Sequence, residues 1–156
     1  RPGRRRRNRR RSRRTASPRC GRWGGTRRGR HGPPRRQAGI ARANGFSLNV
    51  SNFASTESNI AYGERISKLV GGKHFIIDTS RNGLQTNSTE WCNPRGRALG
   101  VAPTTNTGHP LVDAFLWVKA PGESDGTCGG GPQAGSWWSA YALELSRMAS
   151  TLSGRD

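Results

Sequence analysis

Three charged residues crowd together late in the chain. Lys119, Glu123 and Asp125 lie in the run Phe-Leu-Trp-Val-Lys-Ala-Pro-Gly-Glu-Ser-Asp-Gly-Thr-Cys from Phe115 to Cys128. If the loop is extended, Glu123 and Asp125 point to the same side, because alternate residues of an extended chain share a face. Two carboxylates and an ammonium at the carboxyl end of a buried strand are where a barrel enzyme keeps its chemistry. The alternative is a polar surface loop carrying a solvated ion pair. His74 and His109 read as structural or exposed, since no metal-ligand spacing surrounds them.

Something must hold such a loop in place. Phe115 to Val118 has the apolar, aromatic composition of a buried strand, and Ala120-Pro121-Gly122 breaks it. Upstream, Phe46, Leu48 and Val50 alternate with polar residues, the period of a half-buried strand that ends near Asn52. Ser55-Thr56-Glu57 offers an N-cap and an acidic first turn. Tyr62, Ile66, Leu69 and Val70 then fall on one helical face, and Gly71-Gly72 ends the helix. Phe75-Ile76-Ile77 reads as a second buried strand, followed by the polar loop from Asp78 to Gly83. Strand, helix and strand make a βαβ unit, so the fold class is α/β with a parallel sheet whose active loops gather at its carboxyl edge. Residues 84 to 110 are loop-rich. Trp137, Trp138, Tyr141, Ala142, Leu145, Ala149 and Leu152 form a closing amphipathic helix, with both tryptophans read as core anchors.

The formal charge is +18, the balance expected of a nucleic-acid binder. It is not evenly spread. Residues 1 to 36 hold 17 of the 27 Lys+Arg and none of the 9 Asp+Glu, so the remainder has a net charge of +1. That first segment has no Leu, Ile, Val, Met, Phe or Tyr. With nothing to bury it is expected to be disordered. Its Arg, Gly, Pro, Ala, Ser and Thr are also what GC-rich DNA yields in the wrong reading frame, which is the reading favoured. The alternatives are an inert tail and an arginine arm that binds phosphates, which would make the protein a nucleic-acid-binding one. The expected domains are therefore 1–36, an Arg/Gly/Pro-rich segment, and 37–156, the folded part.

No apolar run is long enough to cross a membrane, and no signal peptide is visible after Arg1. A bond between Cys92 and Cys128 would close a loop of about 37 residues, worth roughly 4 kcal/mol on the chain-entropy argument, and would imply an oxidising compartment. Two free buried thiols are the other reading.

Four stretches stand in the order and spacing of a known family: Gly45 to Phe53, Ile77 to Gly83, Glu90 to Pro94 and Val118 to Gly126. Together they resemble glycoside hydrolase family 6, in particular the actinobacterial endoglucanases and cellobiohydrolases. The likeness runs from about Gln37 to about Ala149 and covers only the carboxyl-terminal part of that catalytic domain. It implies the last strands and helices of a distorted β/α barrel of TIM type. It further implies hydrolysis of β-1,4-glucosidic bonds in cellulose with inversion, by a secreted, monomeric enzyme without cofactor or metal. Asp125 matches the residue proposed as base or water-positioning group, and Arg81 matches its arginine partner. Asn52, Trp91, Lys119 and Glu123 match residues that bind glucosyl units, and Cys92 and Cys128 match a disulfide. The family's catalytic acid belongs to an earlier motif that these residues do not contain. The chain by itself is thus expected to be inactive and to leave two open sheet edges.

Overall fold

The computed structural model describes residues 39–85 and 89–153, with side chains through residue 150. The Arg-rich segment 1–36 lies outside the described residues. Three strands form one sheet: β1 (Gly45–Leu48), β2 (His74–Asp78) and β3 (Val112–Leu116). Both pairings are parallel and the order is β1-β2-β3. Leu48 stands opposite Ile77, which stands opposite Phe115, so all three strands end at the same edge. The ladder slips once, and Asp113 bulges out of β3 between Val112 and Ala114.

Helix α1 (Thr56–Leu69) crosses between β1 and β2. Ser55 caps it, its hydroxyl oxygen accepting from the Ser58 N–H at 3.1 Å, which contributes about 1 kcal/mol. At the other end Gly71 has φ +83°, and the Gly72 N–H reaches back to the Ser67 carbonyl at 2.8 Å. This left-handed closure is the expected use of a glycine. The buried face is rotated from the one periodicity suggests. Asn59, Gly63, Ile66 and Ser67 face inward, whereas Tyr62 and Leu69 are exposed. Gly63 explains the shift: a methyl group there would lie inside the Phe75 ring, which itself stacks on Phe46 with centroids 5.2 Å apart. Small side chains face the sheet because two phenylalanines already fill the space. The core consists of Leu48, Ile66, Phe75, Ile77, Val112 and Phe115.

Two strand expectations need trimming. β1 ends at Leu48, and Val50 is exposed, because Asn49 and Ser51 both turn to positive φ (59° and 61°) and break the alternation. β3 ends at Leu116, leaving Val118 exposed. The far edge of β3 is not wholly open either, since Thr104 bridges Phe115 antiparallel with backbone bonds of 3.0 and 2.9 Å.

Helix α2 (Ser139–Ser153) buries Tyr141 and Leu145 completely. Of the two tryptophans, Trp138 is half-buried and stacks on Tyr141, but Trp137 is exposed. The helix begins at Ser139, so helical periodicity does not govern where Trp137 points.

Candidate active site

The loops leaving the three strand ends are tied together by Asp78, the last residue of β2, which is fully buried. Its Oδ2 accepts from the backbone N–H of Ser51 (3.1 Å) and of Lys119 (3.0 Å), and its Oδ1 accepts from that of Ser80 (2.9 Å). One carboxylate thus fastens the loop after β1, its own loop and the loop after β3. Asn49 adds a second tie, donating to the Asp78 carbonyl at 2.9 Å while its own side-chain oxygen accepts from Ala54 N–H at 3.1 Å. An asparagine tolerates the left-handed backbone this turn needs.

On that frame Arg81 and Asp125 meet, 44 residues apart in sequence. Arg81 Nη1 donates to Asp125 Oδ2 at 2.9 Å, and Nη2 donates to Oδ1 at 3.1 Å and to the Ser51 carbonyl at 2.6 Å. The fork geometry is the strong, orientation-fixing form of the ion pair. Arg81 is fully buried, and its guanidinium lies over the Phe53 ring at 4.3 Å. Lys119 Nζ sits 3.2 Å from Glu123 Oε2 and 3.9 Å from Asp125 Oδ1. The two carboxylates therefore do share a side, with the ammonium between them.

Asp125 is held from its backbone as well. Its N–H donates to Asn93 Oδ1 at 2.7 Å, and the Asn93 N–H donates to Asp125 Oδ2 at 3.1 Å. The Asn93 amide also donates to the carbonyls of Gly126 (2.7 Å) and Cys128 (3.0 Å). Sequence reasoning gave Asn93 no role; the available signal was an asparagine, tolerant of positive φ, between Cys92 and Pro94. The neighbouring Cys92–Cys128 disulfide has formed, with Cα atoms 6.1 Å apart. It joins the loop bearing Trp91 to the loop bearing Asp125.

Trp91 itself is 66% exposed, not a core residue beside the disulfide. Glu90 braces its backbone, the carboxylate accepting from the N–H of Trp91 (3.0 Å) and of Cys92 (2.9 Å). The indole borders a cavity of about 450 Å³ together with Asn52, Lys119, Ser124, Asp125 and Gly135. Glu123 stands at its margin, reaching it through Lys119. A second cavity of about 220 Å³ shares Asn52 and Trp91 and is otherwise lined by Gln85, Thr89, Glu90 and Arg97 over Phe53. All the residues singled out from the sequence thus converge: Asn52, Arg81, Trp91, Lys119, Glu123 and Asp125. The histidines do not join them, for His74 pairs with Asp113 at 2.8 Å and His109 with Glu64 at 3.3 Å. Among the described residues no cluster of three His, Cys, Asp or Glu could hold a metal ion.

Chemically, the arrangement fixes one carboxylate at a cavity wall, its oxygens oriented by a guanidinium, an ammonium and a backbone N–H. An exposed indole offers a flat apolar face, and the Lys119–Glu123 pair offers a donor and an acceptor beside it. Tyr141 backs the site from α2, its hydroxyl donating to the Pro94 carbonyl at 3.0 Å. Burial, opposed by the charge of Arg81, pushes this phenol up to about 12.

The chain is 57% identical over 113 residues to Endoglucanase A of Cellulomonas fimi, spanning 72% of this chain and 25% of that protein. It is 46% identical over 116 residues to Endoglucanase 1 of Streptomyces halstedii, spanning 35% of that protein. Among solved structures it resembles the endoglucanase Cel6 of Mycobacterium tuberculosis in complex with methyl-cellobiosyl-4-deoxy-4-thio-β-D-cellobioside. There the TM-score is 0.70 and the identity 55%, over 74% of this chain and 41% of that one. A cellobiohydrolase II of Humicola insolens in complex with glucose and cellotetraose gives a TM-score of 0.62 at 30% identity, over 74% and 43% of the two chains. The chain therefore spans less than half the length of these relatives. The model of Glycosyl hydrolases family 6 matches residues 31–149, and those residues hold every group of the cluster around Asp125, so the chain belongs to that family.

Proposed function

We propose that residues 37–156 form one side of the active site of a cellulose-degrading enzyme that hydrolyses β-1,4-glucosidic bonds with inversion. The observation that carries this reading is the Arg81–Asp125–Lys119 cluster opening onto a cavity walled by the exposed indole of Trp91. Inversion needs a carboxylate that steers water onto the anomeric carbon from the face opposite the leaving oxygen. Asp125 suits that role: bonds from Arg81 and Asn93 limit its rotation, so a water held by it attacks from a constant direction. Trp91 stacks on the CH face of a pyranose ring, while Lys119, Glu123 and Asn52 hydrogen-bond hydroxyls.

The reaction also needs a protonated carboxyl about 6.5–9.5 Å from the first to protonate the leaving oxygen. The family resemblance assigns it to an earlier motif, so the three strands are read as the closing portion of a distorted β/α barrel completed by sequence of that kind. The Cys92–Cys128 disulfide fits an extracellular setting. Among the described residues no helix is long and apolar enough to cross a membrane. Nothing favours the nucleic-acid alternative, whose arginines all lie in residues 1–36.

The test is a chimera in which residues 45–153 replace the matching segment of the Cellulomonas fimi endoglucanase. The chimera is expected to cleave cellotetraose to the inverted anomer, followed by proton NMR. Asp125→Ala in it should lower kcat by about 10²–10⁴. A folded chimera that releases the retained anomer, or whose rate ignores Asp125→Ala, contradicts the reading.

A further inference from the structure

The two oxygens of Asp125 are not equivalent. Oδ2 accepts twice, from Arg81 Nη1 at 2.9 Å and from the Asn93 backbone N–H at 3.1 Å. An oxygen of an ionised carboxylate offers about two acceptor positions, so Oδ2 is filled. Oδ1 accepts from Arg81 Nη2 at 3.1 Å, while Lys119 Nζ stands 3.9 Å away, beyond hydrogen-bond reach. Among the described residues, Oδ1 is thus the oxygen of the pair whose acceptor capacity the protein does not use up. Asp125 lines the cavity of about 450 Å³ together with Lys119 and Trp91.

The side chain of Asn93 fixes the peptide from which this carboxylate hangs. Its Oδ1 accepts from the Asp125 N–H at 2.7 Å, and its Nδ2 donates to the carbonyls of Gly126 and Cys128 at 2.7 and 3.0 Å. The amide is buried and has little slack. Ser124 Oγ lies 3.3 Å from the same Nδ2, and a methyl group at Gly131 would meet that nitrogen at 2.5 Å. The disulfide cannot do the same work. It joins the loops at Cys92 and Cys128, three residues beyond Asp125, and does not touch the Asp125 peptide.

We propose that Asn93 is a positioning residue for the reaction: by filling Oδ2 and holding the Asp125 peptide, it makes Asp125 Oδ1 the oxygen that steers the attacking water. The inference rests on the inverting-glucanase reading and deepens it. In the displacement, Oδ1 takes a proton from the water as the water oxygen bonds to the anomeric carbon. The glycosidic C–O bond breaks, and its oxygen takes the proton of the separate acid. Turning the Asp125 peptide would aim Oδ1 away from that carbon without removing any group that binds sugar, so the loss falls on kcat.

Two measurements test it. Asn93→Gly accepts the local φ of 47°, keeps the backbone N–H and removes only the amide. In the full chain it should speed hydrogen exchange of the Asp125 amide about tenfold, the size of one lost hydrogen bond. In the chimera with the Cellulomonas fimi endoglucanase it should lower kcat about 10- to 100-fold and leave KM within about twofold. Asn93→Asp should rescue kcat in acid, where a protonated carboxyl both accepts from Asp125 and donates to a carbonyl. Burial, the two carbonyls and the Asp125 carboxylate raise the pKa of that carboxyl, against Arg81 and Lys119. Its kcat relative to the parent should therefore fall as pH rises from about 5 to 8. An Asn93→Gly kcat within about twofold of the parent, a loss confined to KM, an Asp125 amide that exchanges no faster, or an Asn93→Asp ratio flat with pH overturns the proposal. So does an Asn93→Gly chimera that cannot fold, since Asn93 would then serve folding and not the reaction. A parent chimera without inverting cleavage fails the glucan reading itself, before any Asn93 variant is compared.

Discussion

At the scale of single residues the decisive pair is Arg81 with Asp125. Both are desolvated, with Arg81 fully buried and the Asp125 side chain 9% exposed. Removing one partner of such a pair leaves an uncompensated charge, at a cost of about 3–5 kcal/mol. Arg81→Met is therefore expected to lower the urea midpoint sharply, with the disulfide intact. Arg81→Lys should recover little, because a single ammonium cannot reproduce two parallel bonds to Asp125 and a third to the Ser51 carbonyl. The double variant Arg81→Met/Asp125→Leu should be more stable than Arg81→Met alone. A double variant as unstable as the sum of its parts contradicts the pairing as the source of the loss. How legible were these roles beforehand? Lys119, Glu123 and Asp125 could be read directly, because all three sit within one loop and their charges are visible in the text. Arg81 could not be joined to them without the family likeness, since nothing local relates positions 44 apart. Asn93 was harder still. Its work is to accept from and donate to backbone groups of another loop, and a backbone partner carries no side-chain signature.

At the scale of elements, the sequence pattern located α1 well and oriented it poorly. The Ser55 cap and the Gly71-Gly72 stop are local chemistry, so both ends were legible. The buried face was not, because apolar periodicity assumes that large side chains point inward. Here Gly63 faces in and the volume is supplied from β2 by Phe75. Gly63→Ala tests that account. In an ordinary helix interior the change would stabilise by about 0.5–1 kcal/mol. Against the Phe75 ring it should instead destabilise by about 1–3 kcal/mol, the usual cost of overpacking. Leu69→Ala, at an exposed position on the face that periodicity favoured, should change stability by about 0.5 kcal/mol or less. Equilibrium unfolding of the two variants in parallel decides between the faces: a stabilised Gly63→Ala together with a damaged Leu69→Ala restores the sequence-based orientation. The parallel order of the strands, by contrast, was legible, since the only connection long enough between the first two strands is helical.

At the scale of the whole molecule, the loop of Trp91 is fastened at both ends of its surroundings. The disulfide ties it to the loop of Asp125, and Tyr141 and Glu144 tie it to α2, the closing helix. Tyr141 donates to Pro94, and Glu144 accepts from Gly96 N–H at 3.1 Å and pairs with Arg95 at 2.6 Å. Global stability should therefore register the state of Tyr141. Its phenol is raised to about 12 in the folded chain, against about 10 unfolded, chiefly because burial disfavours the phenolate. Below pH 10 the phenol is neutral in both states, and its contribution is intact. As pH rises from about 10 towards 12, the unfolded chain releases the proton first, and stability falls by up to a few kcal/mol. Tyr141→Phe cannot lose that proton. It should be less stable than the parent at pH 8 by about 1 kcal/mol, the bond to Pro94 having gone. It should overtake the parent in strong alkali. Lysine titration affects both chains alike, so the difference between their denaturant midpoints from pH 8 to 12 isolates the tyrosine. Curves that stay parallel throughout would show that the phenol ionises as easily in the fold as outside it, and that α2 does not seal the back of the site.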